Sequence, residues 1–146
     1  MLETLALMGH GFVNAMSLSN LLFMAGGTAI GIIIGCLPGL SAAMAVALFL
    51  PVTFAMQAHE AFTLLVALYI GGISGGLISA ILINIPGTSS SIATCFDGSP
   101  MAKKGEAGKA LGTGVVFSFL GGLFSFLVLM FVAPSVAQIT LKFSAI

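Results

Sequence analysis

Apolar residues run almost unbroken along this chain, and polar positions gather in a few short clusters. The pattern is neither the strict alternation of a half-buried strand nor the one-sided stripe of a soluble amphipathic helix, and it predicts membrane helices. The charged residues are Glu3, Glu60, Asp97, Lys103, Lys104, Glu106, Lys109 and Lys142. They leave three long charge-free runs: Thr4 to His59, Ala61 to Phe96 and Ala110 to Leu141. About 20 apolar residues cross a bilayer as a helix. The first run must therefore turn back or break, and the third fits one crossing plus an interfacial tail.

Helix punctuation sharpens this reading. An interfacial, amphipathic start is expected to about residue 17, then a membrane helix over Leu18 to Cys36. Leu37-Pro38-Gly39-Leu40 breaks it, because proline removes an N–H and clashes with the preceding turn. A second helix is expected over Ser41 to Met56, with Pro51 near its end, and a third over Ala61 to Ile83. Ile85-Pro86-Gly87 makes a second break, followed by the hydroxyl run Thr88-Ser89-Ser90-Ser91. A short helical piece over Ser91 to Phe96 and a last span over Leu111 to Ala133, stopping at Pro134, complete the reading. Ser135 to Ile146 begins a further element without a cap or polar tail, which suggests a fragment.

Composition supports the membrane class. Of 146 residues, 59% are hydrophobic and 5% charged, with a mean hydropathy of +1.23. Soluble domains average about 25% charged residues. The net charge is zero, so no basic surface exists to bind nucleic acid through counterion release. Met1-Leu2-Glu3 lacks the positive region of a signal peptide. Residues 97–109 hold five of the charges, three of them lysines, and read as a cytoplasmic loop by the positive-inside rule. The whole of 1–146 reads as a single membrane domain. Cys36 and Cys95 flank the two breaks as small apolar packing residues.

Three enzyme-like patterns fail on context. Gly72-Ile73-Ser74-Gly75-Gly76 has the letters of a hydrolase elbow, but no histidine follows Ser74. His59-Glu60 begins a zinc motif that Thr63 ends. Gly108-Lys109 lacks the glycine and the Ser/Thr of a phosphate loop. Neither an enzyme nor a metal site is expected.

Two features carry chemistry. Gly27, Gly31 and Gly35 recur every fourth residue, as do the pairs Gly71 with Gly75 and Gly72 with Gly76. Such faces let membrane helices approach closely, here most simply within the chain, with homodimerisation as the sharper alternative. The two Pro-Gly breaks are the second feature. A break at membrane depth bares backbone groups that lipid cannot satisfy, so it must lie in protein or line a watery cavity. Discontinuous helices of this kind build the substrate sites of secondary transporters. No Lys or Arg lies inside a membrane run, so an anion would rest on helix N-termini and hydroxyls. Two such ends supply about 4 kcal/mol, a roughly millimolar affinity. A carboxylate held so weakly needs a co-bound cation or a separate capture protein. Asp97 caps a helix or lines a vestibule at the interface, since a carboxylate at mid-membrane costs at least about 2.5 kcal/mol.

The same residues carry a resemblance. Gly31-Ile-Ile-Ile-Gly35-Cys-Leu-Pro38-Gly39-Leu40 resembles the signature of the tripartite tricarboxylate transporter permease, the large TctA-type membrane subunit. Leu50-Pro51 with Thr53-Phe54, Tyr69 through Gly76, Ser79 through Thr88, and Asp97 through Gly112 resemble its later blocks in order. The likeness covers about residues 18–125. It implies cation-coupled uptake of citrate or related carboxylates, with Na+ or H+ as coupling ion. It implies a small membrane subunit and a periplasmic solute-binding protein as partners. It also implies a second, related half, of which this chain would be the N-terminal counterpart.

The reading is therefore an all-α integral membrane protein of the bacterial inner membrane. It has two Pro-Gly-broken segments, discontinuous or re-entrant, and forms half of a repeat-built transporter. The breaks, at Pro38 and Pro86, are expected to face one another near the midplane. Gly39, Ser41, Gly87, Thr88, Ser89 and Ser90 are expected to contact the carboxylate, and Asn84 and Thr88 the cation. The alternatives are a divalent-anion-symporter-like carrier and a non-transporting assembly subunit.

Overall fold

The computed structural model describes residues 9, 11–12 and 14–143. The described residues form helices joined by short turns, with no strand among them. The elements are α1 (Leu18–Cys36), α2 (Ala42–Thr53), α3 (Ala58–Ile83), a single 3-10 turn (Ser89–Ser91), α4 (Ile92–Lys103) and α5 (Ala107–Phe143). Three stretches are long and apolar enough to cross a membrane: Leu18–Cys36, Ala58–Ile83 and Ala107–Ala133. The interfacial start falls mostly outside the described residues.

The local causes are legible. Ser17 caps α1, its side chain accepting from Asn20 N. Ser41 caps α2 in the same way through Met44 N, at 3.3 Å. Each cap satisfies one of the N–H groups a helix start leaves unpaired. The chain leaves helical geometry at both Pro-Gly positions. Between α1 and α2 it turns through Gly39, whose φ of +92° suits glycine. After α3 it turns at Asn84, φ +57°, the left-handed stop that asparagine tolerates better than most residues.

The chain divides into two compact units, Met1–Leu111 and Gly112–Ile146. The first is organised on α3, which packs against α1, α2, the 3-10 turn and α4. Glycine makes the α1–α3 contact. A Cβ built on Gly27 would meet Ala67 Cβ at 2.9 Å, one on Gly31 would strike the Leu68 carbonyl, and one on Gly35 the Gly72 carbonyl. In return Gly71 abuts Thr28, and Gly75 abuts Ile32, with Cys36 N 2.7 Å from its built Cβ. Numbers rise together on both helices, so α1 and α3 run parallel. Ser19 Oγ donates to Glu60 Oε1 at 2.9 Å and ties their starts together. The repeated glycines are thus spent within the chain, on the close approach their spacing predicts. The second unit is the continuation of α5.

Three expectations need correction. Residues 97–109 are a helix-turn-helix corner rather than an open loop: α4 runs to Lys103, Gly105 turns at φ +83°, and α5 starts at Ala107. Asp97, Gly98, Ser99 and Pro100 have loop-like composition, but Gly98 and Ser99 are buried. A Cβ on Gly98 would lie 2.7 Å from Ile81 Cγ1, so packing on α3 overrides local propensity. Second, α5 does not stop at Pro134 and continues to Phe143; proline costs one backbone bond and need not end a membrane helix. The further element expected from Ser135 is therefore part of α5. Third, α2 is shorter than expected and ends at Thr53, and α3 starts earlier, at Ala58.

Candidate functional site

The central turns of α3 gather the ends of the broken segments. The first residue of α2 rests on α3, with Ala42 Cα 2.8 Å from a Cβ built on Gly72. Thr88 rests on Gly76, its Cγ2 3.0 Å from the Cβ that glycine lacks. A Cβ on Gly87 would lie 2.6 Å from Gly35 O, 2.8 Å from Gly76 Cα and 3.1 Å from Ser79 Oγ. The second Pro-Gly segment therefore touches the last turn of α1 backbone to backbone. Small residues on all three sides are the condition for that approach.

The predicted residues are distributed unevenly around this point. Gly87 and Thr88 are half-buried within it, and Ser41 stands beside Ala42 at its margin. Pro38 and Gly39 are exposed, with nothing within 4 Å of a Cβ built on Gly39. The first break thus meets the second through Gly35, one turn earlier, and not through Gly39 itself. Ser89 and Ser90 are exposed. Ser90 Oγ and Thr88 Oγ1 share a hydrogen bond of 3.0 Å. Ser91 turns inward: its Oγ accepts from Thr88 N at 3.2 Å and donates to Thr88 O at 2.8 Å. Pro86 and Asn84 are exposed at the end of α3.

Gly35, Gly76 and Ser79 were not among the expected site residues. The four-residue glycine spacing marked Gly35 and Gly76 for close contact but did not say with what. Ser79 is buried and donates to Gly76 O at 3.1 Å.

The chemistry available here is dipolar. The C-terminal end of α1 presents carbonyls, including Gly35 O, which suit a cation. The start of α2 and the 3-10 turn leading into α4 present N–H groups and hydroxyls, which suit an anion. Ser41 Oγ accepts the cap bond, which leaves its O–H to donate. A groove of about 530 Å³ between α1 and α3, lined by Met24, Thr28, Phe62, Thr63, Val66 and Ile70 among others, is elsewhere and almost wholly apolar. It offers nothing to a carboxylate. Among the described residues no three His, Cys, Asp or Glu side chains come together.

Membrane-length apolar helices, a glycine-packed core and two helix interruptions define a polytopic membrane protein. Residues 21–146 match the model of the tripartite tricarboxylate transporter TctA family, and the chain belongs to that family. Among curated proteins it is 38% identical over 145 residues to the "uncharacterized 52.8 kDa protein in TAR-I ttuC' 3'region" of Agrobacterium vitis. That match covers 99% of this chain and 29% of the relative, so the chain spans less than a third of the relative's length. No solved structure matches.

Proposed function

We propose that this chain is the N-terminal part of the permease of a secondary, cation-coupled carboxylate transporter in the bacterial inner membrane. A periplasmic solute-binding protein delivers the substrate, and a small membrane subunit completes the assembly. The observation that carries the reading is the meeting of Gly35, Gly76, Gly87 and Thr88 in a chain of the TctA family. It brings helix ends of both polarities to one place without a buried charge. Ser41, Gly87, Thr88, Ser89 and Ser90 serve the anion, with Gly39 shaping the turn that presents Ser41. Thr88, the carbonyls near Gly35 and Asn84 serve the coupling cation, Na+ or H+. Dipole ends alone hold a carboxylate at roughly millimolar strength, and the capture protein supplies the missing affinity.

The test is uptake of labelled citrate by the complete transporter in membrane vesicles, with and without its binding protein, under Na+ and pH gradients. Uptake should need the binding protein and one of the gradients. Ser41→Ala combined with Ser90→Ala should lower it at least tenfold at unchanged membrane insertion. Gly39→Leu should abolish it, although the positive φ there makes this variant strained whatever its role. Full uptake without a binding protein would point to a symporter-like carrier. Unchanged uptake in the serine variants would remove the hydroxyls from the site.

A further inference from the structure

We infer that the two Pro-Gly segments are the tips of two re-entrant hairpins that enter the membrane from opposite faces and close on one another against α3. The geometry rests on the contacts alone; its role as a gate rests on the transport reading above.

The depth of the contact follows from helix arithmetic. α3 has 26 residues, about 39 Å at 1.5 Å per residue. Gly72 and Gly76 stand about 21 and 27 Å from its start. α1 begins level with Glu60, runs parallel to α3, and ends with Cys36 beside Gly75. α2 starts against Gly72 and has 12 residues, about 18 Å. Only four residues separate its end at Thr53 from Ala58, where α3 begins. α2 must therefore descend to the level at which α1 started. The first segment goes in and comes back on the Glu60 side.

The second segment does the reverse. The chain passes Ile83, turns at Asn84, and brings Gly87 and Thr88 back down to Gly76. From there α4 climbs past Ile81, which meets Gly98, to the lysine corner. Its two ends lie at the far end of α3. α3 stays apolar and open to its last turn, with Leu82 and Ile83 each 53% exposed, so lipid around that turn would leave both tips short of the surface. The tips meet about 10–17 Å short of that end.

Where they meet, backbone faces backbone, and among the described residues no hydrogen bond joins the two segments. Parting them breaks no such bond. A seam of this kind, reached by one hairpin from each side, is where a path open to alternate faces divides.

The experiment uses the full chain in right-side-out and inside-out vesicles. Cys36 and Cys95 are replaced by alanine, and single cysteines are placed at Gln57, Leu37, Ser90 or Lys104, all exposed in the fold. A membrane-impermeant maleimide should label Gln57→Cys and Lys104→Cys quickly and from opposite sides. Leu37→Cys should react at least tenfold more slowly than Lys104→Cys from the Lys104 side. Ser90→Cys should react at least tenfold more slowly than Gln57→Cys from the Gln57 side. Equal rates in either comparison would make that segment a surface loop and overturn the proposal. The seam has its own readout. Native Cys36 and Thr88→Cys, in the Cys95→Ala chain, should be joined by a short thiol cross-linker. Cleavage at Met44 and Met56 then leaves the two fragments attached; fragments that separate would overturn the seam. Neither readout requires transport, so failed uptake would refute the proposed function and leave the hairpins standing.

Discussion

At the residue scale, the glycines divide into two kinds that composition cannot distinguish. Gly26 and Gly31 both lie inside α1. A Cβ on Gly26 meets nothing within 4 Å, whereas one on Gly31 strikes the backbone carbonyl of Leu68. A carbonyl in a packed helix cannot swing aside as a long side chain does. Gly26→Ala is therefore expected to leave stability unchanged or raise it by up to about 1 kcal/mol, through helix propensity. Gly31→Ala should cost about 3 kcal/mol, the upper end for overpacking. Thermal unfolding of the two variants in the same detergent checks the order, and a smaller loss for Gly31→Ala than for Gly26→Ala would refute the α1–α3 packing.

At the element scale, helix ends do more than helix interiors. Asn84 was expected as a cation ligand, and the structure gives its backbone a task of its own, the left-handed stop of α3. Asn84→Gly separates the two roles. Glycine adopts that conformation without the Cβ penalty, so stability should hold or rise slightly. Uptake that falls with stability intact assigns the side chain to the ion; unchanged uptake leaves Asn84 a cap. Ser41 can be examined in the same way. Ser41→Ala removes the cap bond to Met44 N and should cost about 1 kcal/mol, while Ser41→Asn should recover most of it. A larger deficit in uptake than the cap explains, not recovered by asparagine, would mark the hydroxyl as a substrate contact.

At the scale of the whole molecule, the expected orientation rests on the lysine corner. Lys103 and Lys104 end α4, and Lys109 opens α5 beside Glu106, 2.6 Å from its Oε1. That exposed pair is worth at most about 1 kcal/mol. The lysines matter through the positive-inside bias. Alkaline phosphatase fused after Lys104 should be inactive, and fused after Gln57 active. The reverse result would invert the orientation expected from the lysines and leave the two hairpins on opposite faces.

How much of this was legible in the chain follows from what kind of interaction decides each feature. The membrane class and the helices over 18–36 and up to Ile83 rest on local chemistry: apolar run length and serine at a cap. These the sequence determined by itself. Its letters misled at Gly98-Ser-Pro100, where burial against Ile81 holds a helix that composition reads as loop. The parallel course of α1 and α3 and the pairing of Gly35 with Gly87 depend on residues about 37 to 52 positions apart. Glycine spacing announces that a backbone will come close but carries no record of which one. Only the tertiary structure made that choice, because shape complementarity between distant segments selects the partner.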